Sequence, residues 1–139
     1  MPSAISPNQC TAFIQVWVDV NGLAQDSTRG CYAVSNQSQT STGEGTANLT
    51  TNVITGSSVC WAVLPIDPQY NGDFTITSIG VESGWAQPPG PVSGQPNVFT
   101  GQVEQSTVGG NINSNIQFSY NGSNQATVTL PVTIVPVTA

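Results

Sequence analysis

Seven carboxylates, three thiols and three indoles are the side chains here with chemistry to offer, and neither histidine nor lysine accompanies them. That absence removes the Ser-His-Asp, Cys-His and Ser-Lys arrangements, because each needs one of those bases to activate its nucleophile. A phosphate-cradling loop is also missing. Gly43-Glu44-Gly45 is followed by no Gly-Lys-Ser/Thr and by no helical pattern. Paired carboxylates are what remains for catalysis. Asp67 and Asp73 flank one loop, and Glu82 and Glu104 end expected strands. A glycosidase would need two such groups about 5–10 Å apart in a cleft. Solvated loop acids explain them more simply, so the expectation is a chain that is not an enzyme and carries no catalytic residue.

Metal chemistry is as thinly supplied. Cys10, Cys31 and Cys60 are far apart and lack Cys-x-x-Cys spacing, and a zinc site without histidine would need all three thiolates and a further ligand. They read as buried free thiols, ahead of a Cys31–Cys60 bridge that export would favour. Asp19 with Asn21, or Asp67 with Asp73, could offer oxygen ligands to calcium. Asp19-Val20-Asn21-Gly22 has no closing glutamate, however, and Asp and Asn stabilise turns by themselves. No metal and no cofactor are expected. Binding is the better use of these groups: Trp85 or Trp17 as a stacking platform, with Asp19, Asn21, Asp67 and Asp73 as polar partners. Trp85 lies in a Pro/Gly-rich stretch, where its ring either stands exposed or folds back over one end of the domain. Phe13 joins Trp17 on a mixed face that a neighbouring subunit could bury.

The elements that must position these residues are strands. Ala12, Ile14, Val16, Val18 and Val20 alternate with Phe13, Gln15, Trp17 and Asp19, the period of two of a half-buried strand, and Asn21-Gly22 closes it. Cys31 to Ser35 is a second, short strand. Ala47, Leu49, Thr51 and Val53 share one face of a third. A turn at Gly56 leads to a fourth, with Val59, Trp61 and Val63 inward. Phe74 to Val81 changes face near Ser78, which predicts a bulge. Residues 83–97 hold four of the ten prolines and read as a long loop or extended arm. Val98 to Glu104 is another short strand. Ile112 to Tyr120 and Ala126 to Ile134 alternate about Asn121-Gly122, a hairpin pattern. Pro131 and Pro136 make the last strand an edge, or interrupt it.

This predicts an all-β fold, an antiparallel β-sandwich of jelly-roll type with about eight short strands. Residues 1–10 form an irregular arm, and residues 11–139 a single domain. The expected core includes Ile14, Val16, Val18, Leu49, Val59 or Trp61, Ile116, Phe118, Val128 and Leu130.

Net charge −6 with a single cation excludes phosphate-driven nucleic-acid binding and attraction to anionic membranes. No stretch has the length of a transmembrane helix, and the first residues lack the basic and apolar regions of a signal peptide. The expected location is cytoplasmic if Met1 is native, and extracellular or at the cell surface if Met1 was added to a mature chain.

Val18-Asp19-Val20, then Gly43-Glu44-Gly45-Thr46-Ala47-Asn48-Leu49, then Gly56-x-x-Val59-x-Trp61 resembles the bacterial inclusion-body family of AidA- and PixA-like proteins. In that family a Gly-x-Gly-Thr-x-x-Leu segment precedes a Gly-x-x-Val-x-Trp-like strand. The resemblance covers residues 13–80 loosely. The family's aromatic Trp-Asp-Pro-Thr-Ile type terminus is missing, with Leu130-Pro131-Val132-Thr133-Ile134 a distant echo, and Lys and Arg are scarcer than the family leads one to expect. The resemblance implies a β-sandwich that accumulates or assembles, with no established enzymatic activity and no catalytic residues to carry over. The expected function is therefore a non-catalytic, self-associating structural or inclusion subunit whose partner is itself, as homo-oligomer or filament. The alternative is a lectin-like carbohydrate-binding module with glycans as partners.

Overall fold

The computed structural model describes residues 5–19, 30–36, 42–43, 45–46, 49–67, 69, 74–80, 85–104, 112–120 and 127–137. Eleven strands run through them: β1 (Ala12–Val18), β2 (Cys31–Ser35), β3 (Leu49–Ile54), β4 (Ser58–Pro65), β5 (Phe74–Ile79), β6 (Trp85–Val92), β7 (Gln95–Val103), β8 (Ile112–Asn113), β9 (Ile116–Tyr120), β10 (Thr127–Leu130) and β11 (Val132–Val137). The helical content among the described residues is one 3-10 turn, Pro7–Gln9. The strands form three sheets, ordered β2-β1-β4-β7-β6, β10-β9-β5 and β3-β11-β8.

The fold is all-β, as the alternation predicts, but two parts of the expectation need correction. The strands among the described residues number eleven rather than about eight, because Pro131 divides one expected strand, Ser114-Asn115 divide another, and a further strand fills the expected loop at 83–97. The sheets are also mixed rather than antiparallel. β1 runs parallel to β4, with Ala12 opposite Val59 and Val18 opposite Pro65. β3 runs parallel to β11, with Leu49 opposite Val132. Strands β3 and β4, consecutive across Gly56 (φ 83°), therefore lie in different sheets. Gly56 takes a left-handed conformation that a residue with a Cβ rarely adopts, and there the chain crosses from one sheet to another.

Side chains from all three sheets meet in one core. Ile14, Val16, Val18, Val59, Trp61, Val63, Leu49, Ile116, Phe118, Val128 and Leu130 are all buried in it. The bulge expected near Ser78 is present as a register shift between Ile76 and Ser78 where β5 pairs with β9. The C-terminal hairpin is also present, with Phe118 opposite Val128 and Ile116 opposite Leu130. Pro131 breaks the strand after it. Pro136 pairs on the β3 side, opposite Val53, while β8 reaches only Thr133 and Ile134. β11 is thus the middle strand of its sheet rather than the expected edge, and among the described residues Pro136 pairs with one neighbour, where its missing N–H is tolerated.

The stretch 85–92 reads as a loop because Pro88, Pro89 and Pro91 cannot donate to a ladder. In the fold it is the outermost strand of its sheet, paired on one side to β7 with three register shifts. An edge position with bulges accommodates prolines that a central strand would not. The bulged β6 backbone lies close over Gly101. A Cβ there would meet Gln87 O, Pro89 Cα and Pro89 N, each at 3.2 Å. These are backbone atoms of a proline-stiffened segment and yield poorly. Gly101→Ala is expected to cost about 1–3 kcal/mol through overpacking, visible as a lowered midpoint in a thermal melt followed by circular dichroism.

Candidate functional site

Alternation along the β2-β1-β4-β7-β6 sheet sends one set of side chains into the core and the other outward. The in-register pairs lay out the outer face. Phe13 stands beside Cys60, Gln15 beside Ala62 and Trp17 beside Leu64 on the β4 side. On the β2 side, Gln15 faces Val34 and Trp17 faces Tyr32. On the far side of β4, Cys60 faces Thr100 and Ala62 faces Val98.

The two halves of this face differ. Over β4 and β7 the N-terminal segment lies on the sheet. Ile5 packs on a small cluster of Cys10, Cys60 and Val98. The Thr100 hydroxyl donates to the Ile5 carbonyl at 2.8 Å, and the Thr11 amide donates to the Ser58 carbonyl at 3.1 Å. Over β1 and β2 the aromatic side chains are left partly exposed. Phe13, Trp17 and Tyr32 are 37%, 36% and 42% exposed, and Ile66 beyond the end of β4 is exposed too. Asp19 follows β1 at the rim of this patch, its amide donating to the Gly30 carbonyl.

Asn36 fixes the Phe13 end of the row. Its Oδ1 accepts from the Phe13 amide at 2.9 Å, its Nδ2 donates to the Thr11 carbonyl at 3.0 Å, and its own amide donates to the Phe13 carbonyl. The side chain thus acts as an extra rung of ladder. Beside it, Phe13, Gln15, Val34, Ser35 and Asn36 line an open concavity. Two of its polar groups are already committed. The Asn36 amide holds β1, and the Ser35 hydroxyl is hydrogen-bonded to that of Thr51 at 2.9 Å in the interior. A sugar would find Phe13 to stack on but few polar groups left to orient its hydroxyls.

The remaining predicted site residues do not converge on this patch. Trp85, expected in a loop, is in β6 and folds back: its ring meets Trp61 edge-on, centroids 5.5 Å apart and planes at 70°. Its indole nitrogen is buried, and neither it nor that of Trp61 has a hydrogen-bond partner among the described residues. It is a core-covering side chain and no exposed platform. Asp67 is exposed and its Oδ1 accepts the Gln69 amide at 2.9 Å, the turn use expected of an aspartate there. Asn21, Asp73 and Glu82, with the turns at Asn21-Gly22, Asn71-Gly72 and Asn121-Gly122, lie outside the described residues. No group of three or more Cys, Asp or Glu able to hold a metal occurs among the described residues.

All three cysteines are free and buried. A Cys31–Cys60 bridge is excluded by sidedness: Cys31 points into the main core, and Cys60 belongs to the cluster on the outer face. Burial pushes the Cys31 thiol up to about 11. An acid whose pKa is raised on folding favours the folded state fully at low pH, before the unfolded thiol ionises. That stability is lost as pH rises from about 9 towards 11, since only the unfolded chain has then released its proton. Cys10 and Cys60 are raised as well, chiefly by burial, and act in the same sense. Urea midpoints should therefore fall between pH 9 and 11, and Cys31→Ala should flatten that fall.

The comparisons with known proteins fit this architecture. A family model described as "Domain of unknown function (DUF8788)" matches residues 10–126. The chain belongs to this family. No curated protein matches this DUF8788 chain. Among solved structures, the inclusion body protein PixA from Burkholderia cenocepacia J2315 superposes with a TM-score of 0.61 at 11% identity, over 96% of this chain and 100% of that one. At such low identity the likeness is one of fold. The resemblance to PixA-like proteins read from residues 13–80 thus extends, as a fold, over nearly all of the DUF8788 chain.

Proposed function

We propose that the chain is a non-catalytic, self-associating β-sandwich subunit of a homo-oligomer, filament or inclusion. The observation that carries this reading is the partly exposed row of Phe13, Trp17 and Tyr32 on the outer face of β1 and β2. Aromatic side chains clustered on a flat sheet face, with neutral Gln15 and Val34 between them, match the make-up of a protein interface core. The shared core of the three sheets supports the sandwich reading, with jelly-roll topology its finer form. A fold shared with a protein described as an inclusion body protein supports an assembly role. The missing histidine and lysine support a role without catalysis.

Light scattering with electron microscopy on the purified chain tests the reading. The expected result is mass above that of the 14.4 kDa monomer, rising with concentration. A monodisperse monomer across a wide concentration range would overturn it.

A further inference from the structure

We propose that Cys10 and Cys60 are a redox clasp, which a peroxide closes into a disulfide that fastens the N-terminal segment to the outer face of the sheet. This inference stands apart from the association reading.

The fold brings together two cysteines that lie far apart in sequence. The parallel pairing of β1 and β4 sets Phe13 beside Cys60, and the Thr11 amide reaches the Ser58 carbonyl one rung earlier. Cys10 is the next residue back, where the chain turns over the sheet. Its side chain and that of Cys60 pack with Val98 in one cluster, with Ile5, Ala62 and Val92 against it. The two thiols lie close enough that each perturbs the other's ionisation. The Cys10 thiol is also 3.9 Å from the Ser6 carbonyl, and the Ser6 amide donates to Gln9 Oε1 at 2.8 Å, so the segment is folded tightly around it. Cys31, in the main core, has no part in the cluster and serves as an internal control.

The step balances with hydrogen peroxide as the oxidant. One sulfur attacks a peroxide oxygen, the O–O bond breaks, water leaves and a sulfenic acid remains. The second sulfur displaces that hydroxyl as a second water, and the S–S bond forms. The two thiols together lose two electrons and two protons, and the peroxide becomes two waters. Burial keeps both thiols protonated at neutral pH, so closure should be slow there and quicken as pH rises, because the thiolate is the attacking form. The disulfide would close a loop of roughly fifty residues, a length at which cross-linking restricts the unfolded chain strongly.

The test is to treat the purified full chain with hydrogen peroxide and count thiols after denaturation. The expected count falls from three to one. Peptide mapping without reductant should recover a Cys10–Cys60 peptide. Amide exchange over residues 5–10 should slow, and the melting temperature should rise by about 5 °C or more, reversed by dithiothreitol. Cys31→Ser should give the same peptide and the same rise on oxidation, its thiol count falling from two to none, whereas Cys10→Ser and Cys60→Ser should show neither the new peptide nor the rise. Three thiols persisting, a bridge involving Cys31, a bridge between copies, or a Cys10–Cys60 bridge that leaves exchange at 5–10 unchanged would each overturn the proposal.

Discussion

Phe118→Ala is expected to lower the unfolding free energy by about 3–5 kcal/mol, the range for emptying a buried phenylalanine site. Phe118 is fully buried in β9, the middle strand of β10-β9-β5. It stands opposite Val128 on one side and Ile76 on the other. Its ring meets Phe74 edge-on, centroids 6.0 Å apart and planes at 82°. With paired strands on both sides, the site has little freedom to collapse around the lost ring, which places it toward the costly end. A domain of this size is stable by about 5–15 kcal/mol, so the variant gives up a large share of the total. Urea unfolding followed by circular dichroism measures it. Phe74→Ala should cost less, because Phe74 begins the edge strand β5. Phe118→Asn should fail to give soluble folded protein, since it adds an unpaired buried amide to the same cavity. A loss below about 1 kcal/mol for Phe118→Ala would contradict the core assigned to β9.

What the sequence discloses about this fold is local, and the limits follow from that. The inward sets of β1 and β9 were legible because alternation needs only one strand and a wet face. The bulge at Ser78 was legible because a slip of one residue swaps faces within the same stretch. Pairing between distant strands leaves no such mark. Nothing in Ala12–Val18 says that its neighbour is Ser58–Pro65, or that the two run parallel, and the same holds for Leu49–Ile54 and Val132–Val137. The strand Trp85–Val92 was hidden by its prolines, which argue against a strand wherever both sides must pair, and here one side is open. The candidate site divides in the same way. Phe13 and Trp17 share a face by strand parity alone, so their outward row could be read in advance. Tyr32 joins them only through the β1–β2 register. Trp85 is hidden together with its strand. The Cys10–Cys60 contact depends wholly on the parallel register and could not be seen before it.

Trp17→Glu is expected to weaken the proposed self-association by at least about 30-fold, the loss that goes with removing a central tryptophan anchor worth about 2 kcal/mol or more. Trp17 lies on the outer face between Tyr32 on β2 and Leu64 on β4. If two copies meet about a two-fold axis, each substitution counts twice and the loss is larger. The carboxylate adds repulsion to a chain that already carries net charge −6. Salt separates the two contributions. Screening weakens repulsion between copies, so added sodium chloride should strengthen association of the parent and recover part, though not all, of the variant's loss. Trp17→Ala, which keeps the charge constant, should lose the anchor and keep the salt response of the parent. Folding should survive in both variants, because the ring lies on the outer face and is 36% exposed. An unchanged melting temperature checks that. Ile54→Glu is the control: Ile54 is also exposed but belongs to β3, in a different sheet. Sedimentation velocity over a concentration series reads all four proteins. If Trp17→Glu and Ile54→Glu associate as the parent does, the outer face of β1 and β2 is not the surface through which copies meet.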